Sequence, residues 1–135
     1  TVSIPAGIES GETLRVTGRG ESIASGQAGD LYIKIHVHPH PLFKKEGTHL
    51  VCDIKVKLSD ALLGAEYPLE TLDGNIVLNI PEGVSHGEVL RVKGKGVPNE
   101  RGKRGDLLTR ISIEMPRKLS KTAKKMIEEL KREGI

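Results

Sequence analysis

The sequence predicts a mostly β protein built from a duplicated unit, the first copy truncated, followed by a C-terminal α-helix. Three observations predict it. One block of residues recurs at an offset of 76, apolar residues alternate with period two through the longer segments, and the last residues change to a helical period.

The repeat runs from Ile4-Pro5-Ala6-Gly7 to Leu14-Arg15-Val16-Thr17-Gly18-Arg19-Gly20, and again from Ile80-Pro81-Glu82-Gly83 to Leu90-Arg91-Val92-Lys93-Gly94-Lys95-Gly96. It continues without a gap into Gly29-Asp30-Leu31 and Gly105-Asp106-Leu107. Within each copy, Ile-Pro marks the exit of a strand, where proline costs no ladder hydrogen bond. A Gly-x-x-x-Gly turn follows, then a short Leu-x-Val strand that breaks at Gly-x-Gly. A loop over 20–29 or 96–105 leads to Gly-Asp-Leu, which opens a longer strand.

In the longer strands, Leu31, Ile33, Ile35 and Val37 fall on one face, as do Leu50, Cys52, Ile54 and Val56, and Ile76, Leu78 and Ile80. Leu107, Ile111, Ile113 and Met115 repeat the pattern with Thr109 interrupting. One buried and one solvated face predicts antiparallel sheets. Ser59-Asp60-Ala61-Leu62-Leu63-Gly64 reads as one short helix with Ser59 as N-cap and Gly64 just past its end. The expected units are residues 1–41 (C-terminal half of a first β domain), 42–116 (a second β domain) and 117–135 (a helix). The second copy is preceded by a strand–helix–strand segment over 48–77, whereas residue 1 already lies in the first copy. This predicts a fragment whose first unit lacks its N-terminal half and leaves an apolar face uncovered or covered by another chain.

Leu119, Ala123, Met126 and Leu130, with Ile127 beside them, form one apolar stripe on a helix starting near Ser120. The stripe is too short for an independent coiled coil and needs a surface to pack on. Its own domain and a second copy of the chain both fit.

Among 135 residues there are 21 Lys and Arg against 18 Asp and Glu, a net charge of +3. Residues 117–135 alone carry +4, which leaves the β part near neutral. A nucleic-acid module more often spreads a basic stripe over its folded face, and single-strand binding needs stacking platforms. Here the aromatics are only Tyr32, Tyr67 and Phe43. No stretch approaches the roughly 20 apolar residues of a bilayer-spanning helix, and no signal peptide is visible at the start. The single cysteine, Cys52, excludes an intrachain disulfide and a cysteine-only zinc site. It alternates with Leu50 and Ile54, as a buried apolar residue would.

Few residues offer chemistry. His36 and His38 share a strand face, yet no third metal ligand accompanies them, and Pro39 and Pro41 bend the chain away. A strand-end structural role is the expectation. Gly18-Arg19-Gly20 and Gly94-Lys95-Gly96 lack the Lys-Ser/Thr end of a phosphate-binding loop. Lys93, Lys95, Arg101, Lys103 and Arg104 make the 93–104 loop basic, which reads as a solvated hairpin loop or a contact for nucleic acid or an acidic partner. No nucleophile–base set and no carboxylate pair emerges, so no enzyme is expected and no metal or cofactor in this chain. Phe43 lies between two strands in His38-Pro39-His40-Pro41-Leu42-Phe43. It reads either as a loop aromatic capping the core edge or as an exposed anchor for a peptide.

Taken together, Gly29-Asp30-Leu31-Tyr32, Pro39-His40-Pro41-Leu42-Phe43, Ala61-Leu62-Leu63-Gly64, Thr71-Leu72-Asp73-Gly74, the two Ile-Pro-x-Gly runs and Gly94-Lys95-Gly96-Val97-Pro98 resemble the C-terminal client-binding region of DnaJ-type co-chaperones. The resemblance covers essentially the whole chain.

It implies two tandem small β-sandwich or barrel-like domains, the first one truncated here, and a C-terminal helix that dimerises the protein, so it favours a homodimer through Leu119, Ala123, Met126, Ile127 and Leu130. It implies unfolded or non-native polypeptides as ligands, bound as extended segments in shallow grooves, and their delivery to a DnaK-type ATP-driven chaperone in the cytoplasm. Phe43 matches the family's Pro-His-x-x-Phe position, which makes Phe43 and Leu42 the client-binding candidates. The family's J domain, its Gly/Phe-rich linker and its Cys-x-x-Cys zinc module are not in these 135 residues. Zinc is therefore expected only in an upstream module of the parent protein, and stimulation of the partner's ATPase is not expected of this segment. The alternative is a basic β module that binds nucleic acid, whose affinity would fall steeply with salt.

Overall fold

The computed structural model describes residues 1–21, 26 and 28–135. Its elements in chain order are β1 (Thr13–Val16), β2 (Leu31–Lys34), β3 (Lys44–Glu46), β4 (His49–Lys57), α1 (Leu58–Leu63), β5 (Ala65–Thr71), β6 (Gly74–Ile80), β7 (Val89–Val92), β8 (Leu107–Glu114) and α2 (Lys121–Arg132). β1 and β2 form an antiparallel ribbon. β3, β4, β8 and β7 form a four-stranded sheet in that order, and β5 and β6 a hairpin.

The duplication is visible bond by bond. The Gly11 N–H donates to Ile35 O and the Gly87 N–H to Ile111 O, both at 2.7 Å. The Ile35 and Ile111 N–H groups return bonds of 2.8 Å to Glu12 O and Glu88 O. Thr13 faces Lys34 in the first copy as Val89 faces Arg110 in the second. Backbone φ agrees at the paired glycines: 81° and 75° at Gly7 and Gly83, 72° at both Gly18 and Gly94. The glycines that close the two Ile-Pro-x-Gly segments therefore share a left-handed φ, as a duplicated unit requires.

The sandwich expectation describes the body over β3–β8, where the β5–β6 hairpin lies against the four-stranded sheet, and no barrel closes. Val56 and Ile111 from the sheet meet Leu78 and Ile80 from β6, with Ala61 of α1 and Val84. Phe43, Leu50, Cys52 and Leu107 form a second cluster, and Ile54 and Val92 touch both. In this body the period-two faces of β4, β6 and β8 are thus the faces that bury. Thr109 also belongs to this face: it is fully buried, and its hydroxyl donates to Leu90 O at 2.8 Å. That bond removes the cost of an unpaired buried hydroxyl.

Three sequence expectations need correction. The central pair, β4 with β8, is parallel rather than antiparallel, in the register Leu50↔Leu107 through Lys57↔Glu114. Alternation reports which face is buried and is silent on strand direction. The chain between the two strands, through α1, β5, β6 and β7, is long enough for the crossover that a parallel pair needs. Second, α1 starts at Leu58, and Lys57 is its N-cap with no side-chain cap bond. β4 runs directly into the helix, which puts Ser59 inside the first turn. The Tyr67 hydroxyl accepts the Lys57 N–H at 3.4 Å instead. Third, β2 ends at Lys34, short of Val37. β8 extends to Glu114 because β4 pairs with it to that point; no described strand does this for β2.

α2 begins as expected. Ser120 is the N-cap, and its Oγ accepts the Ala123 N–H at 3.0 Å. Lys131 and Arg132 lie in the last turn, where positive charge complements the helix dipole. Ser120→Ala should cost about 1 kcal/mol of helix stability. First-turn amide exchange should then quicken about fivefold, and unchanged exchange would show that the cap carries nothing.

Candidate functional site

No residue of α2 is buried. Leu119, Met126, Ile127 and Leu130 are all exposed in the single chain, and Ala123 is half-exposed. The stripe expected from the sequence is present, and it does not pack on the chain's own sheets.

The β1–β2 ribbon presents a second apolar surface. Within β2, Ile33 is half-buried, Leu31 on the same face is exposed, and Tyr32 is exposed on the other side; beyond the strand Ile35 is half-buried, and Val37 and Ile4 are exposed. β2 pairs with β1 alone. In the second copy β4 occupies the corresponding edge of β8. The far edge of β2 is therefore an unpaired row of backbone N–H and C=O groups among the described residues.

Leu42 and Phe43 diverge. Phe43 is 6% exposed and sits among Leu50, Cys52 and Leu107. Of the two readings of this residue, the exposed anchor is not what the structure places there. Its side chain turns inward just before β3, under the sheet that Leu50 and Leu107 build. The exposed member is Leu42, at 63%. His40 shapes the turn that presents it: Nδ1 accepts the Leu42 N–H at 3.0 Å and the Phe43 N–H at 3.3 Å. The imidazole also lies against the Phe43 ring, with centroids 5.1 Å apart.

The remaining histidines are also structural where they have partners. His49 Nδ1 accepts the Asp106 N–H at 2.9 Å, and His86 Nδ1 accepts the Ile113 N–H at 3.0 Å. His36 and His38 are exposed. Among the described residues, no group of three His, Cys, Asp or Glu side chains could hold a metal ion. Burial, and then the neighbouring Asp53 charge, push the Cys52 thiol above its ordinary range. The reactive thiolate is thereby disfavoured. The Tyr67 hydroxyl is also raised, chiefly by its 2.5 Å hydrogen bond to Asp60. Both effects stabilise the neutral, unreactive form.

The 93–104 loop is less solvated than expected. Arg104 donates to Gly96 O from Nε and Nη2, at 3.1 and 2.5 Å, and pairs with Asp73 at the β5–β6 turn. Asn99 Oδ1 accepts the Arg101 and Lys103 N–H groups at 2.9 Å each. Sequence reasoning also missed one pairing present in both copies. Arg15 donates to Asp30 at 2.7 Å, and Arg91 pairs with Asp106 at 3.2 Å, while each Asp accepts the N–H of Gly18 or Gly94. The signal was available, since Leu-Arg-Val and Gly-Asp-Leu recur at the same offset.

The described chain thus has a nearly neutral β part, a solvent-facing apolar ribbon and an exposed amphipathic helix. Comparison with known proteins gives its family. The family model described as "DnaJ C terminal domain" matches residues 1–116. The chain belongs to the DnaJ C-terminal domain family. It is also 43% identical, over 130 residues, to Chaperone protein DnaJ of Ruminiclostridium cellulolyticum. That alignment covers 95% of this chain and 34% of the relative, so the chain spans about a third of the length of the curated protein it matches. Among the described residues, no helix is long and apolar enough to cross a membrane.

Proposed function

We propose that this chain is the client-binding and dimerisation region of a DnaJ-type co-chaperone that works in the cytoplasm. It holds unfolded polypeptides for a DnaK-type ATP-driven chaperone. The three-part division into residues 1–41, 42–116 and 117–135 belongs to this reading. The observation that supports it is the match to this family over residues 1–116, together with the exposed Leu42 turn and the uncovered stripe on α2. Unfolded chains expose apolar side chains that such surface contacts recognise. Leu42 is the exposed contact, with Phe43 as the buried support beneath it. Two copies joined through α2 would offer two weak grooves to one long client, and the second engagement is then strengthened by effective concentration. No nucleophile, metal or cofactor is needed for holding a client.

The test uses the full-length protein and a thermally aggregating client. Leu42→Ser with Val37→Ser should reduce suppression of aggregation severalfold. Unfolding stability should stay within about 0.5 kcal/mol, as is usual for surface substitutions. Suppression equal to the parent's would remove both residues from the binding surface. Loss of suppression only in step with loss of stability would make them structural.

A further inference from the structure

The ribbon shares no sheet with the β3–β8 body, yet one backbone contact ties them. The duplication reveals it. Gly7 and Gly83 are equivalent, with φ of 81° and 75°, so both turns favour glycine for conformation alone. Their surroundings differ. A Cβ added at Gly83 would meet nothing within 4 Å. A Cβ at Gly7 would fall inside the Pro98 carbonyl oxygen and 3.3 Å from its carbonyl carbon. Only the first copy thus has a second reason for glycine: its turn is pressed backbone to backbone against the 96–105 loop.

That loop is built as a rigid seat. Besides the Arg104 and Asn99 bonds, the Val97 N–H donates to Thr48 O at 2.8 Å and the Gly105 N–H to Val97 O at 3.1 Å. Added Cβ atoms at Gly96 and at Gly105 would both strike Thr48 O, so the loop lies flush on the β3–β4 turn. A second tie runs beside the contact, where Glu9, two residues beyond Gly7, pairs with Lys45 of β3. Next to both is a cleft of about 550 Å³ lined in part by Pro5, Ile8, Thr48 and Pro98.

We propose that the Gly7–Pro98 contact and the Glu9–Lys45 pair form a latch that fixes the orientation of the β1–β2 ribbon on the β3–β8 body. The apolar ribbon and the Leu42 turn are then held at a set separation rather than joined by a free hinge.

The test is a distance distribution between spin labels attached to an unnatural ketone side chain at Lys34 and Glu70, both exposed. It is run on the full-length protein diluted with unlabelled chains, so that only distances within one chain are read. The parent should give one narrow distribution, and Gly7→Ala should broaden or displace it. Gly83→Ala, with the same backbone strain but open space around it, should leave it unchanged. Glu9→Lys should broaden it, and Glu9→Lys with Lys45→Glu should restore it. A parent distribution that is already broad would overturn the latch. So would an unchanged distribution in Gly7→Ala, or an equal change in Gly83→Ala. Should Gly7→Ala fail to fold, the charge-exchange pair decides, and absence of rescue there counts against the proposal.

Discussion

Phe43→Ala is expected to lower the unfolding free energy by about 3–5 kcal/mol, the usual cost of emptying a buried aromatic site. The ring is almost fully enclosed, and its neighbours Leu50, Cys52 and Leu107 sit on β4 and β8 in the middle of a sheet. Backbone that is hydrogen-bonded on both sides cannot move inward to fill the space. The His40 imidazole would also lose the ring it lies against, which loosens the turn that presents Leu42. Denaturant titration of the variant checks the value. A loss under about 1 kcal/mol, which is ordinary for a surface site, would mean that Phe43 is not a core residue. The variant should also suppress client aggregation less well, but in proportion to its lost stability. That proportion separates Phe43 from Leu42, whose replacement should weaken holding without unfolding the body.

Leu130→Asp is expected to convert a dimer into a monomer, read as a halved mass by light scattering. α2 has 12 residues and none is buried. A helix of that length is marginal alone, so its exposed stripe of Leu119, Met126, Ile127 and Leu130 is stabilised by covering it. A carboxylate buried in such a seam is left without a partner or water. The penalty is of the order of 3–5 kcal/mol, or at least about a hundredfold in the dissociation constant. Leu130→Met at the same site should keep the dimer, since volume and apolarity are retained. A parent that is already monomeric, or an unchanged mass in Leu130→Asp, would refute the pairing. The charge of +4 on residues 117–135 does not oppose it, because the basic side chains lie off the stripe and remain hydrated.

Local pattern carried much of the fold. The offset of 76 announced two copies of one unit, and equal hydrogen bonds at Gly11 and Gly87 show the two copies making the same turn. Period two marked Leu50, Cys52 and Val56 as inward, and all three are buried. The helical period and Ser120 located α2. At the candidate site the pattern was less informative. Leu42 and Phe43 are adjacent apolar residues in a proline-rich turn, and no period assigns one to the core and the other to solvent. The inward direction of Phe43 depends on Leu107, which reaches the same cluster only through the parallel pairing of β4 with β8. The Arg104 tie to Asp73 and Gly96 was hidden for a similar reason. Arg104 looks solvated until the hairpin tip that carries Asp73 is folded alongside.

By itself the sequence determined the duplication, the strand faces, the amphipathic tail and the kinship, all of which are written in residues near one another or at one constant offset. Only the tertiary structure decided strand direction, which of two neighbouring apolar side chains is buried, and where a backbone comes too close for any side chain. Those outcomes depend on contacts such as Gly7 with Pro98 or Leu50 with Leu107, between segments far apart along the chain. They are settled by packing, which responds to three-dimensional neighbours rather than to local periodicity.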